Sequence, residues 1–253
     1  MNSRLLPTRA AWRQATVLRF NPQQPTISHR KLSSNQPPNQ STAELLLLDH
    51  ALTKVPEYGW TTTAMIQASK DLGYSSAIHT LAPPIKLISH FLDRSLDTTL
   101  EEVDDQLHEL PSGHQQLRLI CRTRLRQTLP VIDRWPEAAA LLAQPQNLPV
   151  AIKQLSKMVS EFWYLAGDKA TRVDWYAKRS GLAAAYLASE MYLCEDRSPD
   201  RRDTWEFLDR RLNDLVDMQN AGIKTQNFAN QFTRNFYNIL ASRGFVNRDP
   251  PSS

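Results

Sequence analysis

A chain of 253 residues with seven glycines and two cysteines is long enough to bury a sizeable core. It lacks the alternating β-branched runs of a sheet protein, and its cysteines have no metal-like spacing. The formal charge of +4 is misleading, because residues 1–40 hold Arg4, Arg9, Arg13, Arg19, Arg30 and Lys31 and no acid; without those six, 24 basic residues face 26 acidic ones. That balance excludes a basic nucleic-acid-binding body.

Residues 1–40 space arginines among Ser, Asn, Gln and Pro. This is the composition of a mitochondrial transit peptide, with Pro22, Pro25, Pro37 and Pro38 making 21–40 a linker. Cys121 and Cys194 are far apart and read as reduced thiols of a non-oxidising compartment. No stretch is long and apolar enough to cross a bilayer.

Residues 41–92 are expected to form a three-helix unit. Leu45, Leu48, Leu52 and Val55 recur at helical spacing up to Tyr58, a second helix runs from Thr61 to Leu72, and Gly73 turns into a third carrying Ala77, Ile78 and Leu81. Helix, Gly turn and short helix together make a helix-turn-helix outline like that of TetR-type regulators. Residues 44–92 nevertheless hold only Lys54, Lys70 and Lys86 against Glu44, Asp49, Glu57 and Asp71, with no arginine. A DNA reader needs several Lys and Arg contacts to phosphate. A ligand-responsive DNA-binding regulator is therefore the alternative reading, and the DNA half of it is vestigial.

Residues 93–220 are expected to form a helical bundle. Its acidic opening contains Asp105-x-x-His108, half of a di-iron motif whose second copy is absent from the sequence, so no metal site is assigned. Residues 115–132 place Leu117, Ile120, Cys121, Leu125 and Thr128 inward and Arg118, Arg122, Arg124 and Arg126 outward. Pro136 and Pro149 each suit the first turn of a helix. The second of these helices turns Ile152, Leu155, Met158, Val159, Phe162, Trp163 and Ala166 inward. After a turn at Ala166–Gly167, a helix capped by Asp174 is apolar or small on nearly every side from Gly181 to Leu193, and so is expected to be enclosed by others. Asp203-x-x-Glu206 has the spacing of a capping box ahead of Trp205, Leu208, Leu212, Leu215 and Val216.

Residues 221–248 carry Phe228, Phe232, Phe236 and Leu240 every four residues, with Tyr237, Arg234 and no acid, and 249–253 are a tail. An aromatic, basic amphipathic helix suits a bilayer surface; packing on the body or across a homodimer is its rival reading.

The pieces Ala166-Gly167-Asp168, Asp174-Trp175-Tyr176-x-x-Arg179 and Asp203-Thr204-Trp205 resemble the mitochondrial coenzyme Q (ubiquinone) biosynthesis accessory proteins, the ninth Coq protein family. The likeness runs from about Glu44 to Asp217. It implies an all-α, TetR-regulator-like bundle without catalysis or cofactor, which binds isoprenoid quinone lipids between its helices. It further implies peripheral seating on the matrix side of the inner membrane. There the protein would dock on the di-iron demethoxyubiquinone hydroxylase and associate with other ubiquinone-biosynthesis proteins, not with nucleic acid. Carried across residue by residue, the partner-facing patch is Asp168, Trp175, Tyr176 and Arg179. An isoprenoid tail needs an apolar lining, for which Met158, Phe162, Leu182, Tyr186, Met191 and Trp205 are the candidates. The membrane-binding candidates are Phe228, Phe232, Arg234, Phe236, Tyr237 and Leu240.

Overall fold

A computed structural model of the chain describes residues 40–75, 83–111, 113–168 and 173–220. Every regular element among them is helical. In chain order they are α1 (Gln40–Tyr58), α2 (Thr62–Asp71), α3 (Pro84–Leu107), α4 (His114–Arg126), a 3-10 turn (Leu129–Arg134), α5 (Trp135–Leu142), α6 (Leu148–Leu165), α7 (Val173–Glu195), a short 3-10 turn (Pro199–Arg201) and α8 (Arg202–Asn220). They lie within one compact unit that begins at Asn39.

The start of α2 follows from Thr61, whose hydroxyl accepts from the Ala64 amide as an N-cap. The expected third helix of the amino-terminal unit, with Ala77, Ile78 and Leu81, falls mostly on residues 76–82, outside the described residues. Pro84 does not interrupt the chain. It sits in the first turn of α3, where its missing amide hydrogen would have had no partner. The 24 residues of α3 run unbroken across the expected boundary at 92/93, so the two units share a helix.

Leu87, Ile88, Phe91, Leu96, Val103 and Leu107 form the buried stripe of α3. Phe91 is the centre of an aromatic cluster, 5.5 Å from Trp60 at the α1–α2 corner and 5.3 Å from Trp135 at the start of α5; the two tryptophans are 5.8 Å apart. Arg134 adds polar fastening, donating to the Pro56 and Glu57 carbonyls that end α1, while Glu137 accepts from the Trp60 amide. These bonds satisfy carbonyls that a helix end leaves open.

On α1 the expected inner stripe is corrected at one position. Leu45 is exposed, and the buried set is Leu47, Leu48, Ala51 and Val55. Ile152 of α6 is exposed as well, whereas Met158, Val159, Phe162, Trp163 and Ala166 are buried as expected.

The proposed capping box at Asp203 is also corrected. Asp196, in the α7–α8 turn, accepts from the Ser198 amide at 2.7 Å, the Thr204 amide at 2.8 Å and the Thr204 hydroxyl at 2.5 Å, and the Ser198 hydroxyl takes the Asp203 amide. Glu206 instead faces Arg202 and Arg210. Burial raises the Asp196 pKa, but the Ser198 and Thr204 hydrogen bonds outweigh it and hold the carboxyl at about 2. A carboxyl whose folded pKa lies below its unfolded value stabilises the fold above the unfolded pKa and loses that contribution as pH falls towards the folded one. Asp196→Asn is therefore expected to cost about 2 kcal/mol of unfolding free energy at neutral pH. The difference from the parent should shrink steadily between about pH 4 and pH 2, read by urea titration at each pH.

Candidate functional site

The end of α6 closes in a tight turn. Gly167, at φ +74°, donates to the Tyr164 carbonyl, and the Asp168 amide donates to the Trp163 carbonyl. This paired closure needs a left-handed residue, which glycine supplies at least strain. It delivers Asp168 beneath the first turns of α7, where its carboxylate takes Lys178 at 2.7 Å and Arg179 at 3.5 Å. The Asp168 side chain is only 3% exposed. Asp168 therefore belongs to the patch as its foundation and does not form its outer face, which corrects the expectation.

Trp175 and Tyr176 form that face. They are 36% and 71% exposed, and their rings meet edge to face at 4.8 Å. The Arg179 guanidinium lies 3.9 Å from the Trp175 ring centroid, the close stacking that Arg favours on an indole. Arg179 also donates to the Trp175 carbonyl and the Ser160 hydroxyl, so α6 and α7 both hold it. Burial lowers the Arg179 pKa and Asp168 opposes that shift. Trp163, just below, donates its indole N–H to the Lys178 carbonyl at 3.0 Å. The result is a fixed pair of exposed aromatic rings on a braced cation, the residue types that carry most of the energy in protein interfaces.

The apolar candidates divide. Met158, Phe162, Leu182 and Tyr186 are buried where α6 faces α7, with the Phe162 and Tyr186 rings 6.3 Å apart. Met191 and Trp205 are partly buried against the same core. Trp205 has its indole N–H on the Asp200 carbonyl and Arg126 over its ring at 5.7 Å. Four candidates are thus buried core residues, and two are partly buried against that core. Phe228, Phe232, Arg234, Phe236, Tyr237 and Leu240 lie outside the described residues, as does the Asp174 side chain.

The outward arginine face of α4 is corrected. Arg118 and Arg122 both bind Asp209 of α8. Arg124 is 1% exposed and lies inside the bundle, 5.9 Å from the Phe91 ring centroid. Across from it on α7, Glu190 is 5% exposed and accepts from the Tyr186 hydroxyl at 3.2 Å. Burial raises the Glu190 pKa, which Arg124 opposes. These two interior charges are the site residues that sequence reasoning missed. The available signal was Glu190, an isolated acid one turn after Tyr186 on an otherwise apolar helix.

Two of the three lysines of residues 44–92 are engaged within the protein. Lys54 pairs with Asp71 at 2.5 Å, and Lys86 pairs with Glu44. Cations already neutralised by carboxylates are poorly disposed to hold phosphates.

The family model described as COQ9 matches residues 148–219, which take in all of α6 and α7 and all but the last residue of α8. The chain is 38% identical over 182 residues to the "Ubiquinone biosynthesis protein COQ9, mitochondrial" of Rattus norvegicus, covering 68% of this chain and 58% of that protein. The protein of the same name from Drosophila melanogaster is 35% identical over 203 residues, 75% of this chain and 60% of that one. The Homo sapiens protein is 37% identical over 182 residues, 68% and 57% of the two lengths. The chain thus spans less than two thirds of the length of these curated relatives.

Proposed function

The chain belongs to the COQ9 family, and from that membership we propose that it serves ubiquinone biosynthesis as a non-catalytic lipid carrier. It takes an isoprenoid quinone intermediate from the mitochondrial inner membrane and presents it to the demethoxyubiquinone hydroxylase.

The observation that carries this reading is that one helix joins the two tasks. At 1.5 Å per residue, Tyr186 in the apolar interior lies about 16 Å along α7 from Trp175 on the exposed patch. A partner that grips the Trp175–Tyr176 pair therefore bears on the same rod that walls the interior. Met158, Phe162 and Leu182 offer an isoprenoid tail hydrocarbon contact without charge, as its chemistry requires. Exposing such a tail to water costs about 25 cal/mol per Å². A carrier seated on the bilayer avoids that exposure, and the acid-free aromatic stretch at 221–248 has the composition to seat it. No helix among the described residues is long and apolar enough to cross a membrane.

A vesicle assay tests the carrier directly. Full-length chain added to donor vesicles holding a labelled isoprenoid quinone and to unlabelled acceptor vesicles is expected to accelerate transfer in proportion to protein concentration. Transfer at the protein-free rate would overturn the reading.

A further inference from the structure

An apolar tail alone gives no reason for Arg124 and Glu190 to lie inside the bundle. Burying a guanidinium and a carboxyl is unfavourable unless each gains hydrogen bonds or a close opposite charge. Here neither compensation is complete. Among the described residues, no carboxylate comes within the 4.0 Å of an ion pair with Arg124. Its Nη1 donates to the Thr128 hydroxyl at a long 3.3 Å, and its buried Nε has no partner.

One further donor is orphaned in the same neighbourhood. The indole N–H of Trp60 is buried without a hydrogen-bond partner, and its ring packs on Phe91, which the Arg124 guanidinium covers. Buried donors are nearly always satisfied in folded proteins, so two in one cluster require an explanation. On the α7 side, the Glu190 carboxyl already accepts from the Tyr186 hydroxyl and from the Trp135 indole. The cluster is therefore richest in donors and short of acceptors, and it is walled by aromatic rings.

We propose that the Arg124–Trp135–Trp60–Glu190 cluster is the seat of the ligand's head ring, an aromatic or quinonoid ring bearing several oxygen acceptors, with Phe91 packing on the ring. The assignment rests on the lipid-carrier reading and places the ligand's ring, for which that reading gives no site. Ring oxygens accept from Arg124 Nε and from the Trp60 indole N–H, and a ring hydroxyl, where present, donates to Glu190. Flat rings pack favourably edge-on or offset against Phe and Trp. A head lodged here is sheltered from water until the ligand leaves for its acceptor.

The test uses the full chain and a matched pair of probes in equilibrium dialysis: a decyl-tailed dimethoxybenzoquinone, and decylbenzene, which has the same tail on a ring without oxygens. The unaltered protein is expected to bind the quinone at least about tenfold more tightly, the worth of a charge-assisted hydrogen bond. Arg124→Met should remove about tenfold or more of the quinone affinity, leave decylbenzene unchanged and not lower the melting temperature, since it replaces an incompletely paired buried charge by a stem of similar shape. Should that variant fail to fold, Trp60→Phe keeps an aromatic ring and deletes one donor; it is expected to weaken the quinone about fivefold and decylbenzene not at all. Arg118→Met, on the Asp209 pair, serves as the control and should change neither. Equal binding of both probes by the unaltered protein, or equal loss of both in the variants, would overturn the head-ring seat and leave the carrier standing. Binding of neither probe would overturn both.

Discussion

Trp175→Lys is expected to weaken binding of the demethoxyubiquinone hydroxylase by at least about 2 kcal/mol, roughly thirtyfold in Kd, with the far-ultraviolet circular dichroism unchanged. The size follows from the place of the ring. Trp175 is exposed, meets Tyr176 edge to face and carries Arg179 on its other side. Replacing it by a second cation removes the flat contact surface and sets like charge against Arg179, so the variant repels where the parent attracts. The α7 helix has no need of the indole, since Leu182, Ala185 and Tyr186 supply its buried contacts. Titration calorimetry with the purified hydroxylase measures the change, and Leu45→Lys, at an exposed position on α1, should bind like the parent. Unchanged affinity for Trp175→Lys would remove the patch from the account.

Trp60→Ala is expected to have the largest effect on stability, about 3–5 kcal/mol of unfolding free energy. The ring is buried and touches both Phe91 and Trp135, which tie α1, α3 and α5 together. Removing it opens a void among rings that cannot collapse on one another while their helices stay in place. Urea denaturation measures the loss, and Trp60→Phe, which keeps most of the volume, should forfeit much less. A loss below about 1 kcal/mol for the alanine variant would show that the cluster packs loosely.

The helical character of the chain was legible from its composition, and so were the helix starts where one side chain decides the matter. Thr61, Pro136 and Pro149 each act within their own turn. Legibility failed where periodicity is degenerate or the partner is remote. Leu45 to Leu48 are four leucines in succession, so helical spacing fits more than one face, and only packing on α2 and α3 selects Leu47 and Leu48. Asp203 has the right spacing for a cap, but Asp196 takes the Thr204 amide and hydroxyl from the preceding turn, a geometry that no local pattern encodes. Arg124 was grouped with its neighbours because cations face water by default. Its burial depends on Phe91 and on the α7 acid, which are distant in sequence.

The candidate patch was legible for a different reason. Trp175, Tyr176 and Arg179 fall within two helical turns, so proximity in sequence already implies proximity in space. Asp168 is the instructive exception, because only the family resemblance placed it on the outer face. The glycine-closed turn that brings it to Lys178 and Arg179 buries it instead.

The most direct measurement is organic extraction of the full-length protein after purification, with the extract read by mass spectrometry against an equal mass of an unrelated helical protein handled in the same way. A carrier of this kind should release isoprenoid quinones or their precursors in an amount comparable to the protein itself, and the unrelated protein should not. Protein that is folded yet repeatedly free of any isoprenoid species, however gently it was isolated, would contradict the account.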